Sequence, residues 1–155
     1  MKFLRNESHK FKLKLVKLVR WSFMIFTKTI HIETEKPGDI INLTHKIEGA
    51  VGESKISNGI VHVFAPHATA VFALTELESN LREDIEKLLD ILTPKEGWKH
   101  DVNAHSHLRS MLLPPDRTLP VRNGRVIKGT WQDLFFIEAD TSGRLRKIEV
   151  TVIGE

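Results

Sequence analysis

The chain has 155 residues and a mass of 17.7 kDa, which gives room for one domain around one hydrophobic core. It contains no cysteine and no tyrosine, which excludes disulfide scaffolds, thiolate zinc and iron–sulfur sites, a cysteine nucleophile and phenolic acid–base chemistry. The composition, 41% hydrophobic and 28% charged, is that of a globular domain, and no apolar run approaches the roughly 18 residues of a membrane-spanning helix.

Charge is unevenly placed. Residues 1–23 carry seven basic groups against the single Glu7, a net +6 that leaves −3 for residues 24–155 out of the overall +3. A slightly acidic body offers no basic face for a phosphate backbone, so nucleic-acid binding is not expected. Lys10–Trp21 (KFKLKLVKLVRW) has the pattern of a basic amphipathic segment. Three readings of it stand: residues upstream of a natural start at Met24, a loosely docked tail, or a helix for an anionic membrane or partner. The expectation adopted is that residues 1–23 form an extension outside the domain, that residues 24–155 form the domain, and that the tail makes no membrane contact.

The alternation over Ile25–Glu33 predicts a first strand. Pro37-Gly38-Asp39 predicts a turn, with Asp39 capping a helix that carries Ile40, Leu43, Ile47 and Val51. Gly59–Phe64 and Ala70–Thr75 follow as strands around the Pro66 corner. Asn80 with Glu83 reads as a capping box for a helix bearing Leu81, Ile85, Leu88 and Leu92 up to Pro94. A polar stretch, Lys95–Ser106, leads to a short helix from about Ser106. Strands are predicted over Leu119–Val121, Gly129–Ala139 and Arg144–Ile153, with Asp140–Gly143 turning between the last two. The helices fall between groups of strands, which predicts a single α+β domain with a mixed, mostly antiparallel sheet, two main helices and a short one.

Histidine is the residue type that carries chemistry. His62 and His67 flank the corner after the second strand, His100, His105 and His107 cluster in the polar stretch with Asp101 and Asn103 among them, and Glu76 and Asp84 follow the third strand. Neutral imidazoles with a carboxylate suit a divalent metal or acid–base work; solvated, unrelated histidines are the alternative. A helix from Ser106 would send His105 and His107 to different sides, which favours His107. Gly129-Thr130-Trp131-Gln132 could line a pocket for a flat ring, or Trp131 could belong to the core. Arg109, Arg144 and Arg146 are candidates for a localised phosphate site, with solvated strand faces as the alternative.

Gly59–Val71 (GIVHVFAPHATAV), Glu76, His100-Asp101, Ser106-His107-Leu108, Leu119-Pro120-Val121 with Gly124, Gly129-Thr130-Trp131-Gln132 and Glu138 occur in the order found in the YjbQ-like family, often labelled secondary thiamine-phosphate synthase, and the chain resembles that family over residues 24–155. The resemblance implies a cytoplasmic homotrimer with clefts at its subunit interfaces. His67, Glu76, His100, Asp101, His107, Thr130 and Gln132 fall on the family's marked positions, and His62 and His105 match some members. The implied site has His67, Glu76, Asp101, His107, Thr130 and Gln132 as catalytic groups. His67, His100 and His107 would be ligands of a divalent zinc or magnesium ion, with His62 and His105 in second rank. Arg109, Arg144 and Arg146 would hold phosphate beside a Trp131 ring platform. The implied reaction joins an aminopyrimidine pyrophosphate to a thiazole phosphate and releases pyrophosphate; a non-catalytic trimer binding a metal or metabolite is the alternative. The chain departs from the family at Ala68, where a hydroxyl is usual, and near Leu113-Pro114, where a glycine is.

Overall fold

The computed structural model describes residues 22–100 and 102–155. Among them lie eight strands and three helices: β1 (Met24–Glu33), β2 (Ile40–Asn42), α1 (Thr44–Ser54), β3 (Gly59–Phe64), β4 (Ala70–Thr75), α2 (Ser79–Leu92), α3 (Ala104–Leu112), β5 (Asp116–Arg122), β6 (Arg125–Val126), β7 (Asp133–Glu138) and β8 (Leu145–Gly154). A five-stranded sheet has the order β1-β8-β3-β5-β6 and a three-stranded sheet the order β2-β7-β4. All their pairings are antiparallel, as an α+β domain of this element order requires.

The larger sheet keeps the alternation of its sequence. Ile148, Val150 and Val152 of β8 and Val61 and Val63 of β3 face inward, while Lys147, Glu149 and Thr151 between them face out. The smaller sheet is apolar on both sides, because both sides are covered. Phe72 and Phe136 turn toward the larger sheet and meet edge to face, with ring centroids 5.8 Å apart. Val71, Phe135 and Ile137 turn the other way, onto Leu89 of α2 and Leu113. Helix α1 closes the main core with Ile47, Ala50 and Val51, one stripe at helical spacing.

Several boundaries differ from the sequence-based expectation. Ile40-Ile41 pairs with Ile137-Phe136 as β2 instead of opening a helix, and the Asp39 carboxylate accepts from the amides of Glu35 and Lys36 within the turn. Helix α1 therefore begins at Thr44 and stops at Lys55, which adopts the left-handed conformation (φ 60°). The cap of α2 is Glu78, whose carboxylate accepts from the amides of Asn80 and Leu81; no Asn80–Glu83 box forms. Gly129–Gln132 is a tight turn ahead of β7, since the Gln132 amide N–H donates to the Gly129 carbonyl and the Gly129 N–H to Gln132 Oε1. No helix among the described residues is long and apolar enough to cross a membrane. The basic segment Lys10–Trp21 lies outside the described residues.

Candidate functional site

Two acids and two arginines converge where β7 ends and β8 begins. Glu138 is fully buried and Arg146 is 2% exposed. Arg146 Nε donates to Glu138 Oε2 at 2.8 Å and a second guanidinium N–H reaches Glu138 Oε1, giving a two-point contact. The Thr34 hydroxyl and the Asp140 amide donate to the same carboxylate. Thr69 accepts from Arg146 at 3.1 Å and donates to Asp140 Oδ2 at 3.0 Å, and Arg144 pairs with that oxygen at 2.9 Å. The charges cancel within the network, which is how four ionic side chains sit in or against a core. Gly143 makes the approach possible: a Cβ there would lie 2.3 Å from the Thr34 carbonyl oxygen.

The network reaches the surface through Asn103. Its Nδ2 donates to Asp140 Oδ1 at 3.2 Å, and its Oδ1 lies 3.0 Å from His100 Nε2. The His100 ring meets that of His107 edge to face, with centroids 5.3 Å apart. Both rings line an open cleft of about 470 Å³ with Trp98, Lys99, Ala104 and Leu108. The Trp98 indole N–H donates to the Pro94 carbonyl. His67 stands near the Arg146 side of the network and accepts from the Lys147 amide through Nε2 at 3.0 Å. Nδ1 must then carry the proton of the neutral ring.

The other expected site residues divide by position. His105 is turned inward by α3, as the opposite-sides argument required, and its Nδ1 meets no hydrogen-bonding partner. His62 lies on the outer face of the larger sheet, against the Thr118 hydroxyl at 2.9 Å. Arg109 is held by Asp90 and Thr93, and Arg146 by Glu138, so neither guanidinium is free for a phosphate, contrary to expectation. Arg144 stays half-exposed beside Asp140. Asp101 lies outside the described residues.

Glu76, Thr130, Trp131 and Gln132 sit at the opposite end of the β4–β7 ladder. Ala70 pairs with Glu138 at the end near His67, and Thr75 pairs with Asp133 at the other. Five residues of strand separate the two ends by roughly 17 Å. Trp131 is 73% exposed, so it belongs neither to the core nor to the cleft of its own chain.

No three His, Asp or Glu side chains among the described residues are arranged to share an ion. His67 Nε2 is occupied by a backbone donor and His100 Nε2 faces Asn103. Among the described residues of one chain, His67, His100 and His107 therefore do not form the expected zinc or magnesium site. Neither departure at Ala68 or Leu113 disturbs the region: Thr69 supplies the buried hydroxyl, and Leu113 ends α3 in an extended conformation that needs no glycine.

The sequence placed Asn103 among the histidines but gave it no role, showed Asp140 only as a turn residue, and left Glu138 without a role. A charged residue inside the apolar run of β7 was the available signal, because a buried carboxylate demands a partner.

Burial lowers His67, helped by the Arg146 charge, and burial with the Arg109 charge lowers His105, each below the ordinary 6.5. The unfolded chain therefore takes up protons near pH 6.5 that the folded chain resists, and stability falls as pH drops through that region. Desolvation alone would raise Asp140, but the bonds from Thr141, Asn103 and Thr69, with Arg144, bring it below 3.8. That stabilising contribution is present above 3.8 and is lost in stronger acid. Urea denaturation should show a decline from pH 8 to 5 and a second one below 3.8; a flat profile from pH 8 to 5 would contradict histidines that the fold holds neutral.

A family model described as UPF0047 protein YjbQ-like matches residues 28–155. The UPF0047 protein of Methanothermobacter thermautotrophicus is 38% identical over 135 residues, covering 84% of this chain and 94% of that protein. YjbQ of Salmonella typhimurium is 31% identical, covering 85% and 100%. Among solved structures, a YbjQ-like protein of unknown function from Sulfolobus solfataricus superposes with a TM-score of 0.84 at 35% identity, covering 86% of this chain and all of the other. A YjbQ/UPF0047-family protein from Clostridium acetobutylicum gives 0.76 at 33% identity, covering 81% and 98%.

Proposed function

The chain belongs to the UPF0047 YjbQ-like family, and from that premise we propose that it is a cytoplasmic, homotrimeric enzyme that binds a small phosphorylated heterocycle in the Trp98–His107 cleft. The observation that carries this reading is the cleft itself: an indole face, two imidazoles and a lysine around a space that suits one ring and its phosphate. Trp98 offers a surface for a flat ring, while Lys99 and His107 offer N–H donors to an anion.

The reaction proposed is thiamine-phosphate formation. The C–O bond between an aminopyrimidine methylene and pyrophosphate breaks, pyrophosphate leaves with the electron pair, and the thiazole-phosphate nitrogen forms the new C–N bond. Donors aimed at the departing pyrophosphate stabilise the charge that develops there, and the cleft wall holds the rings in attacking position. The test is thiamine-phosphate formation and pyrophosphate release by the purified full chain. Product at a rate proportional to enzyme supports the reading; saturable binding without product favours the non-catalytic alternative and overturns it.

The two-ended placement of the matched residues supports the trimer. A cyclic, head-to-tail contact would bring Glu76, Trp131 and Gln132 of one copy to the His100–His107 cleft of the next. An interface of this kind would also give cover to apolar side chains left exposed on α2 and α3, such as Ile91, Leu92 and Met111. Mixed trimers of His107→Ala and Trp131→Ala chains should recover activity that each variant lacks alone, because some interfaces would combine an intact cleft with an intact loop. Absence of recovery, or a monomeric mass by light scattering, would contradict the shared site.

A further inference from the structure

We propose that Asp140 and Asn103 are positioning residues that hold His100 with a proton on Nε2, so that Nδ1 accepts a hydrogen bond from an N–H or O–H group of the ligand. The inference rests on the cleft being a ligand site and adds a demand on what the ligand must carry. Asp140 takes donors from Thr69, Thr141, Arg144 and Asn103, an environment that suits an ionised carboxylate, which only accepts. The Asn103 group facing it at 3.2 Å must therefore be the amide N–H, which fixes the side chain's orientation and turns its carbonyl oxygen toward His100. That oxygen, 3.0 Å from His100 Nε2, requires a hydrogen there. In the neutral ring the remaining nitrogen, Nδ1, is then bare.

An acceptor in a mostly apolar cleft selects by chemistry. A ring bearing an exocyclic amine or hydroxyl gains a hydrogen bond, while the same ring without it leaves the nitrogen unpaired and desolvated. Lys99 and His107 serve the anionic end of such a molecule, and His100 the donor-bearing edge.

The experiment uses the full chain carrying ¹⁵N-histidine. Wild type should show a slowly exchanging proton on His100 Nε2. Asn103→Leu should abolish it. The Asn103 side chain caps no helix, so its loss leaves the start of α3 intact. The second arm measures binding of an aminopyrimidine pyrophosphate and its des-amino analogue. Wild type should prefer the amine by at least about tenfold, and Asn103→Leu should lose the preference. A bare Nε2 in wild type, an Nε2–H signal that survives Asn103→Leu, or equal binding of the two probes would overturn the proposal. If neither probe binds while the Nε2–H signal responds as expected, the positioning stands and the heterocycle reading fails.

Discussion

Replacing Glu138 with alanine should destabilise the fold by about 3–5 kcal/mol, one of the two largest effects expected of a single substitution. The change leaves Arg146 charged and 2% exposed, with its two-point contact to Glu138 gone and only Asp140 Oδ2 left at 3.8 Å, and it strips acceptors from Thr34 and the Asp140 amide. For a domain of this size the midpoint of thermal unfolding should fall by on the order of 10 °C. Replacing Glu138 and Arg146 together with Leu and Met should cost much less than the single change, because no charge is then left buried alone. A loss below about 1 kcal/mol for Glu138→Ala, by calorimetry or urea denaturation, would mean that water or a neighbouring subunit reaches the pair.

The second large effect is functional. His107 is exposed on α3 and lines the cleft, so His107→Ala should leave stability within about 0.5 kcal/mol of wild type. Turnover of an aminopyrimidine pyrophosphate should fall by roughly 10²–10⁴-fold, the range for removing one positioned proton-bearing group. Parallel unfolding curves and turnover rates measure the two sides. A variant that turns over normally, or one that loses activity only because it unfolds, would contradict a direct role.

The strands were legible because their alternation is local. Residues 59–64, 70–75 and 145–154 carry patterns that a sheet with one or two covered faces imposes, and they form strands accordingly. Ile40-Ile41 was not legible in the same way. Its apolar residues suit a helix stripe as well as a strand, and the open side of β7, far along the chain, decides the outcome. The same limit applies to the site. Sequence order brought out His67, His100 and His107 but not the distance from them to Gln132, because that distance is set by the β4–β7 register. Arg109 and Arg146 looked like phosphate ligands because composition does not show that Asp90 and Glu138 already hold them. Asp140 looked like a turn residue, which it also is; its bonds to Thr69 and Asn103 join segments more than 30 residues away.

The most direct measurement is a calorimetric titration of the 155-residue chain with an aminopyrimidine pyrophosphate, run beside His107→Ala. Saturable binding that the substitution weakens at least about tenfold is the predicted result. Equal affinity in the two proteins, or no binding by either, would contradict a heterocycle site between Trp98 and His107.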